Sequence, residues 1–279
     1  MPDSTRLFEL ITNVAERLPQ APSLTVQRIT VTYSDLAEQV GACASGLIAL
    51  GLGRGERVGV YLEKRVETVV ASFGATMAGG VFVPLNPLLK PEQVGYILRD
   101  CDVRVLVTSA ERLPLLTAEI ESSPSVRCVV VLGSAAPSAG RCESLNWNAL
   151  LDGPARPGHR VIDTDMLSIL YTSGSTGRPK GVVLSHRNMV AGAKSVASYL
   201  ENRPGDTLLA ALPLSFDAGF SQLTTAFHAG ARVVLLNYLM PRDVLKAMER
   251  ENVTGLTAVP PLYLHLTTLD WPAVPHVSR

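Results

Sequence analysis

Several runs in this chain are apolar at nearly every position yet too short to be helices. RVGVYL (57–62), VFVPL (81–85), VRVLVTS (103–109), RCVVVL (127–132) and ARVVLL (231–236) are the clearest. A strand with one wet face alternates apolar and polar residues; these runs do not, so both faces must be buried. Helical patterns separate them. Doubly buried strands alternating with helices define an α/β chain of layered, mainly parallel sheets flanked by helices.

The intervening patterns set the element order. Ser34 is expected to cap a helix to about Leu50, with Leu36, Val40, Cys43, Ala44, Leu47 and Ile48 on one face. A helix from Glu67 ends at Gly79-Gly80, another is entered through Pro91, and a third covers Leu113 to Glu121. Residues 68–89 carry no charge, but the Gly pair and Pro84 break them into helix, turn and strand and so argue against a membrane span. The stretch 133–163 is rich in Gly, Pro, Ala and Ser and reads as surface loops around a short helical turn at Asn146–Leu151. It is taken as the boundary between a first lobe, 1–163, and a second, 164–279. In the second lobe, MLSILYTS and GVVLS are strands and Ser185 caps a helix to about Leu200. TLLAALP, ARVVLL and TGLTAVP are further strands, with helices after Asp217 and over PRDVLKAMEREN.

The 279 residues are 47% hydrophobic and 18% charged, with 25 basic against 25 acidic side chains. That is a globular composition without the basic excess a nucleic-acid surface needs. Cys43, Cys101, Cys128 and Cys142 show no CxxC spacing and read as free thiols in a reducing cytosol. The opening MPDSTRLFEL lacks a basic segment followed by an apolar core, so no signal peptide is expected and the location is cytoplasmic.

One stretch carries chemistry: YTSGSTGRPKGVVLSH, Tyr171 to His186. Gly174 and Gly177 allow backbone amides to converge on an anion. Thr172, Ser173, Ser175 and Thr176 offer hydroxyls, Lys180 offers a mobile point charge, and Pro179 restrains the chain beside it. This is not the Walker pattern, in which Gly-Lys-Ser/Thr opens directly into a helix. Here Gly181 and an apolar strand follow Lys180, and the helix begins only after Ser185. A plain Ser/Gly hairpin loop is the alternative, which the lysine and the flanking strands disfavour.

The same stretch resembles the phosphate-loop signature of AMP-forming acyl-CoA synthetases and their relatives, the amino-acid-activating domains and luciferases. ERVGVYLEKRVETVVASFGATMAGGVFVPLNP resembles that family's early core, and VTGLTAVPPLYLHL the segment before its acyl pocket. The overall pattern is most similar to acyl-CoA ligases associated with bacterial exosortase systems. The resemblance implies a large adenylate-forming domain of two α/β lobes. It also implies joining a carboxylate to the α-phosphate of ATP, release of pyrophosphate, and capture of the acyl group by a thiol, usually of CoA. Thr172, Ser173, Gly174, Ser175, Thr176, Gly177 and Lys180 would then wrap the ATP phosphates, with Lys180 as the catalytic cation and Ser175 beside Mg²⁺ unless it is a simple turn hydroxyl.

In ALPLSFDAGFSQL, fatty-acyl members of that family have an aromatic followed by His, whereas this chain has Phe216-Asp217. In amino-acid-activating relatives an Asp there holds the substrate ammonium; capping of the next helix is an equal alternative. Phe216 is read as a pocket wall or core residue. His186 is read as packing or hydrogen bonding at a helix end, His228 and His265 as structural histidines, and EREN at 249–252 as a solvated face. The family's Tyr-Gly-x-Thr-Glu motif, ribose-binding Asp, later Arg and C-terminal Lys are not found. The chain is therefore expected to be a truncated N-terminal portion, with no complete CoA site and little or no ligase activity alone. An amino-acid-adenylating domain serving a carrier-protein thiol, and a non-catalytic nucleotide-binding remnant, stay open. No nucleic-acid partner is expected.

Overall fold

The computed structural model describes residues 3–133, 140–172 and 179–271. The chain opens with α1 (Glu9–Arg17), β1 (Pro22–Val26), β2 (Ile29–Thr32) and α2 (Tyr33–Ala49). A βα succession follows: β3 (Arg57–Tyr61), α3 (Val66–Ala78), β4 (Val81–Pro84), α4 (Pro91–Asp100), β5 (Val103–Ser109), α5 (Leu113–Glu121) and β6 (Cys128–Leu132). Beyond it are β7 (Glu143–Asn146), α6 (Trp147–Leu151), β8 (Met166–Thr172), β9 (Lys180–Ser185) and α7 (His186–Tyr199). The last elements are β10 (Thr207–Ala210), α8 (Asp217–Ala229), β11 (Arg232–Leu235), α9 (Pro241–Glu251), β12 (Gly255–Leu256) and α10 (Pro260–Leu266).

The described strands form two sheets, ordered β7-β6-β5-β3-β4-β8-β9 and β12-β10-β11-β1-β2. All pairings are parallel except β8 with β9 and β1 with β2. The doubly apolar strands do what their composition requires. In β10, Leu208 and Ala210 pack into the core between the sheets, while Leu209, and Ala211 just past the strand, pack beneath α9 and α10. Val105 and Val107 of β5 face the same central core, and Val103 and Leu106 face α4 and α5. The result is five layers, with α2, α3 and α8 among the helices between the sheets.

The boundary at residue 163 does not separate the sheets. β8 and β9 complete the sheet begun by β3, and β1 and β2 lie on the sheet of β10 and β11. Such pairings join segments far apart in sequence, which local patterns do not encode.

Several local expectations are corrected. The cap of α2 is Thr32, not Ser34: Thr32 Oγ1 accepts from the Asp35 amide at 3.1 Å and Asp35 Oδ2 from the Thr32 amide at 3.2 Å. The loop-rich stretch contains a strand, β7, paired parallel to β6. TGLTAVP contributes only Gly255–Leu256 to a sheet, because Pro260 and Pro261 open α10. In EREN, Glu249 and Arg250 are exposed, but Glu251 is half-buried and pairs with Arg232 at 3.2 Å. Ser185 caps α7 as expected, in a reciprocal pair with Asn188, and all four cysteines are free thiols. Among the described residues no helix is long and apolar enough to cross a membrane.

An aromatic stack joins the layers. Phe220 of α8 lies 4.8 Å from Phe82 of β4 and 5.9 Å from Phe73 of α3, centroid to centroid, and Phe227 meets Phe73 edge-on at 5.5 Å. Phe220 is buried on every side. Phe220→Ala is expected to cost about 3–5 kcal/mol, the range for a truncated core aromatic. Denaturant unfolding should show a lower midpoint at an unchanged m-value; a loss below about 1 kcal/mol would mean the layers are held elsewhere.

Candidate functional site at the strand ends

Parallel strands deliver their C-terminal ends to one edge of a sheet, and open α/β sheets bind ligands beyond that edge. Here the edges of both sheets converge. Lys64, just after β3, reaches across and donates from Nζ to the carbonyls of Ala211 at 2.7 Å and Leu212 at 3.3 Å, just past β10. Its backbone exchanges two hydrogen bonds with the side chain of Asn237, past β11: Lys64 N to Asn237 Oδ1 at 3.2 Å and Asn237 Nδ2 to Lys64 O at 2.7 Å. Between the joined edges lies a cavity of about 460 Å³.

Of the Tyr171–His186 stretch, Tyr171 and Thr172 end β8 and Lys180–Ser185 form β9, paired antiparallel to it at this same edge. Its register sets Thr172 directly opposite Lys180, so the glycine-rich segment springs from that pair. Thr172 and Lys180 are both exposed, and among the described residues no carboxylate pairs with Lys180. Ser173, Gly174, Ser175, Thr176 and Gly177 lie outside the described residues. Gly181 has a packing reason: a Cβ there would stand 2.5 Å from Ile169 Cγ2.

The base of the hairpin is anchored to α4. Tyr171 Oη donates to Asp100 Oδ2 at 2.5 Å, and Tyr96 Oη donates to the carbonyl of Pro179 at 3.3 Å. Burial, reinforced by the Asp100 carboxylate, raises the Tyr171 phenol above its ordinary value and keeps it a donor. Sequence reasoning missed Tyr96 and Asp100. The tyrosine opening the glycine-rich stretch was the available signal that a partner existed.

The start of α7 is not a phosphate site. The His186 amide donates to Asp165 O at 3.1 Å, the Arg187 amide to Asp163 O at 2.7 Å, and the Asn188 amide to Ser185 Oγ at 3.2 Å. With those donors engaged, the helix end has little left for an anion. His186 itself is a buried acceptor: its Nδ1 takes the Leu7 amide at 3.0 Å. Burial is the largest influence and lowers its pKa to about 4. The structural expectation for His186 therefore holds. His228 is half-buried, and burial lowers it as well. His265 is exposed, contrary to expectation, because α10 buries Leu262 and Leu266 and leaves position 265 outside that stripe.

Phe216 and Asp217 begin α8 on the same side of the fold. Phe216 occupies the N-cap position, no side chain caps the helix, and Asp217 is the first helical residue. Asp217 is exposed and Phe216 is 41% exposed, so neither is a core residue, and Asp217 does not cap the helix through its side chain. Gly219 sets this geometry: a Cβ there would lie 1.7 Å from the Pro213 carbonyl oxygen, so only glycine lets α8 start so close to the preceding turn. Among the described residues no cluster of three or more His, Cys, Asp or Glu could hold a metal.

Layered parallel sheets whose strand ends converge on a cavity, with a Lys180 that has no carboxylate partner among the described residues, make this edge the candidate site. The AMP-binding enzyme family matches residues 11–276, and the chain belongs to it. It is 31% identical to 4-coumarate–CoA ligase 2 of Oryza sativa subsp. japonica over 95% of this chain and 50% of that protein. It is 29% identical to tyrocidine synthase 3 of Brevibacillus parabrevis over 98% of this chain and 4% of that one. The anthranilate CoA ligase AuaEII, solved in complex with anthranoyl-AMP, superposes with a TM-score of 0.86 at 27% identity, over 97% of this chain and 52% of that chain. The chain thus spans about half the length of the plant ligase and a few per cent of tyrocidine synthase 3. It is similar both to CoA ligases and to tyrocidine synthase 3.

The state of His186 gives a pH prediction. The folded chain holds the imidazole neutral down to about pH 4, whereas in the unfolded chain it titrates near its ordinary 6.5. Between those values the unfolded state binds the extra proton, so stability present above pH 6.5 is lost as pH falls towards 4. The difference corresponds to at most roughly 3 kcal/mol. His186→Gln keeps an acceptor for Leu7 but cannot titrate. Its unfolding free energy should fall less steeply than the wild type's across this window, and parallel curves would contradict the assignment.

Proposed function

We propose that this chain carries the triphosphate cradle and part of the carboxylate site of an AMP-forming acid–thiol ligase. In the first step a carboxylate oxygen forms a bond to the α-phosphorus of ATP, the bond to the bridging oxygen of the β-phosphate breaks, and pyrophosphate leaves. In the second, a thiolate sulfur attacks the acyl carbon and AMP departs, leaving a thioester with CoA or a carrier protein. The supporting observation is that the Thr172–Lys180 hairpin mouth, the inter-sheet cavity and the start of α8 share the convergent strand ends.

Lys180 supplies a charge with no carboxylate partner among the described residues, suited to the pyrophosphate as it forms. Thr172 and the residues Ser173 to Gly177 would provide hydroxyls and amides around the phosphates. Mg²⁺ would neutralise phosphate charge; the described donor set contains no carboxylate cluster for it, so the ion would arrive on ATP with Ser175 as its protein contact. Kinship with exosortase-associated acyl-CoA ligases rests on the overall sequence pattern. A cytoplasmic location suits ATP, CoA and the free thiols.

A second reading, an amino-acid-activating domain, draws on Asp217. Its carboxylate is exposed and does not cap α8, which leaves it available to a substrate ammonium. Calorimetry with leucine and its des-amino counterpart, 4-methylpentanoate, separates the two. A preference for leucine that vanishes in Asp217→Ala would establish the amino-acid reading; equal binding would establish the acyl one.

Because the chain spans about half of its ligase relative, it is expected to bind MgATP but not to exchange pyrophosphate into ATP above background. Lys180→Ala should weaken MgATP binding at least tenfold, a loss typical of one charge-assisted phosphate contact. Unchanged affinity would remove Lys180 from the cradle. Brisk exchange with any carboxylic acid would show that the described strand ends suffice for the first step.

A further inference from the structure

Two side chains of α4 grip the hairpin from outside it. Tyr96 and Asp100 stand four residues apart, on one face of the helix. Tyr96 Oη donates to the carbonyl of Pro179 at 3.3 Å, and Asp100 Oδ2 accepts from Tyr171 Oη at 2.5 Å. Each contact falls one residue behind a leg of the hairpin mouth. Tyr171 precedes Thr172, the last residue of β8, and Pro179 precedes Lys180, the first residue of β9. Thr172 and Lys180 face each other across the register.

The two bonds act on different groups. The Pro179 carbonyl belongs to the same planar peptide unit as the Lys180 amide, so the Tyr96 bond fixes the plane from which the lysine departs. Proline has no N–H, so this carbonyl is the one polar main-chain group by which Pro179 can be held. The Asp100 bond holds the Tyr171 ring, which lies beside Gly181: a Cβ there would stand 3.4 Å from Tyr171 Cζ. Val94, Ile97 and Leu98 bury the other side of α4, so both bonds start from a packed support.

Stability alone does not account for this pair of contacts. Asp100 is exposed and Tyr96 is half-buried, so water can reach both bonds, and such bonds contribute little to folding. What a directional bond sets at such a place is orientation. The group oriented most directly is Lys180, which has no carboxylate partner among the described residues to hold it. A peptide plane fixed before a ligand arrives lowers the ordering cost of binding.

We propose that Tyr96 and Asp100 are positioning residues for the nucleotide phosphates, Tyr96 acting through Lys180 and Asp100 acting through Tyr171 on Thr172. The inference rests on the nucleotide reading of the hairpin, and adds to it two residues of α4, outside the glycine-rich stretch, that set MgATP affinity.

Isothermal titration of the 279-residue chain with MgATP tests it. Tyr96→Phe keeps the ring and removes only the hydroxyl; it should weaken MgATP about three- to tenfold and melt as the wild type does. Asp100→Ala should weaken it by a similar factor, and Asp100→Asn, which keeps an oxygen acceptor for Tyr171, should restore most of the loss. In a Lys180→Ala background Tyr96→Phe should have no further effect, because nothing is left for it to orient; a merely structural role would give additive losses. A second readout needs no nucleotide. Trypsin does not cut before proline, so within Tyr171–His186 the Arg178-Pro179 bond resists and Lys180-Gly181 is the bond that reports the anchor. Tyr96→Phe should be cut there about threefold faster than the wild type, or more. Unchanged MgATP affinity in Tyr96→Phe, additive losses with Lys180→Ala, or unchanged cleavage after Lys180 would each overturn the inference and leave the nucleotide reading standing. No MgATP binding by the wild type, or none lost in Lys180→Ala, is a failure of that reading and would overturn both.

Discussion

Everything at the candidate site depends on how two parallel sheets are locked across one layer of helices. The lock is apolar at its centre and polar at its rim. At the centre, Phe220 stacks between α3 and β4, so the helix that starts at Asp217 is fixed against the sheet that carries the hairpin. At the rim, Lys64 and Asn237 tie the end of β3 to the ends of β10 and β11. The aromatic contacts supply area burial and prevent sliding; the rim bonds set the register between the two edges. Without the first the edges would separate, and without the second they would meet out of alignment.

Under the proposed function, the hairpin would bind an anion by a different physical route from a helix-based loop. A helix N-terminus offers aligned amides and a dipole, but the first amides of α7 are engaged by Ser185, Asp163 and Asp165. What β8 and β9 offer is a paired frame. Both strands are paired up to Thr172 and Lys180, and two tyrosines bind the frame to α4.

Legibility in the sequence tracked locality. The doubly apolar strands β3, β5 and β6, the helix α5 and the Ser185 cap were readable because their signals lie within a few residues. Thr32 was missed for Ser34 because both fit a capping pattern and only the Asp35 geometry decides between them. β7 and β12 were obscured by loop-like composition and by proline; their pairing is set by a neighbour already in the sheet. The interleaving of the sheets was invisible in principle. At the site, Lys180, Thr172, Phe216 and Asp217 stood out by type, but Lys64 sits 147 residues from the carbonyl it clamps and Asp100 sits 71 from Tyr171. A lysine after a strand looks like a solvated surface residue until the second sheet closes over it.

The buried titratable groups show why Lys64 stands apart. Burial favours the neutral form, and the other groups comply without losing a hydrogen bond. His186 becomes an acceptor for Leu7, Tyr33 keeps its proton and donates to the Ala231 carbonyl at 2.7 Å, and Cys43, with its pKa raised to about 12, stays a thiol. Lysine cannot comply so easily, because both carbonyls that it meets require donors and its neutral amine is the weaker one. Its charge is held by the geometry of the sheet junction at the expense of desolvation. A junction that needed only a cross-link could use a neutral donor, as Asn237 does beside it. The ammonium therefore offers what the junction itself does not require, a positive charge facing a cavity.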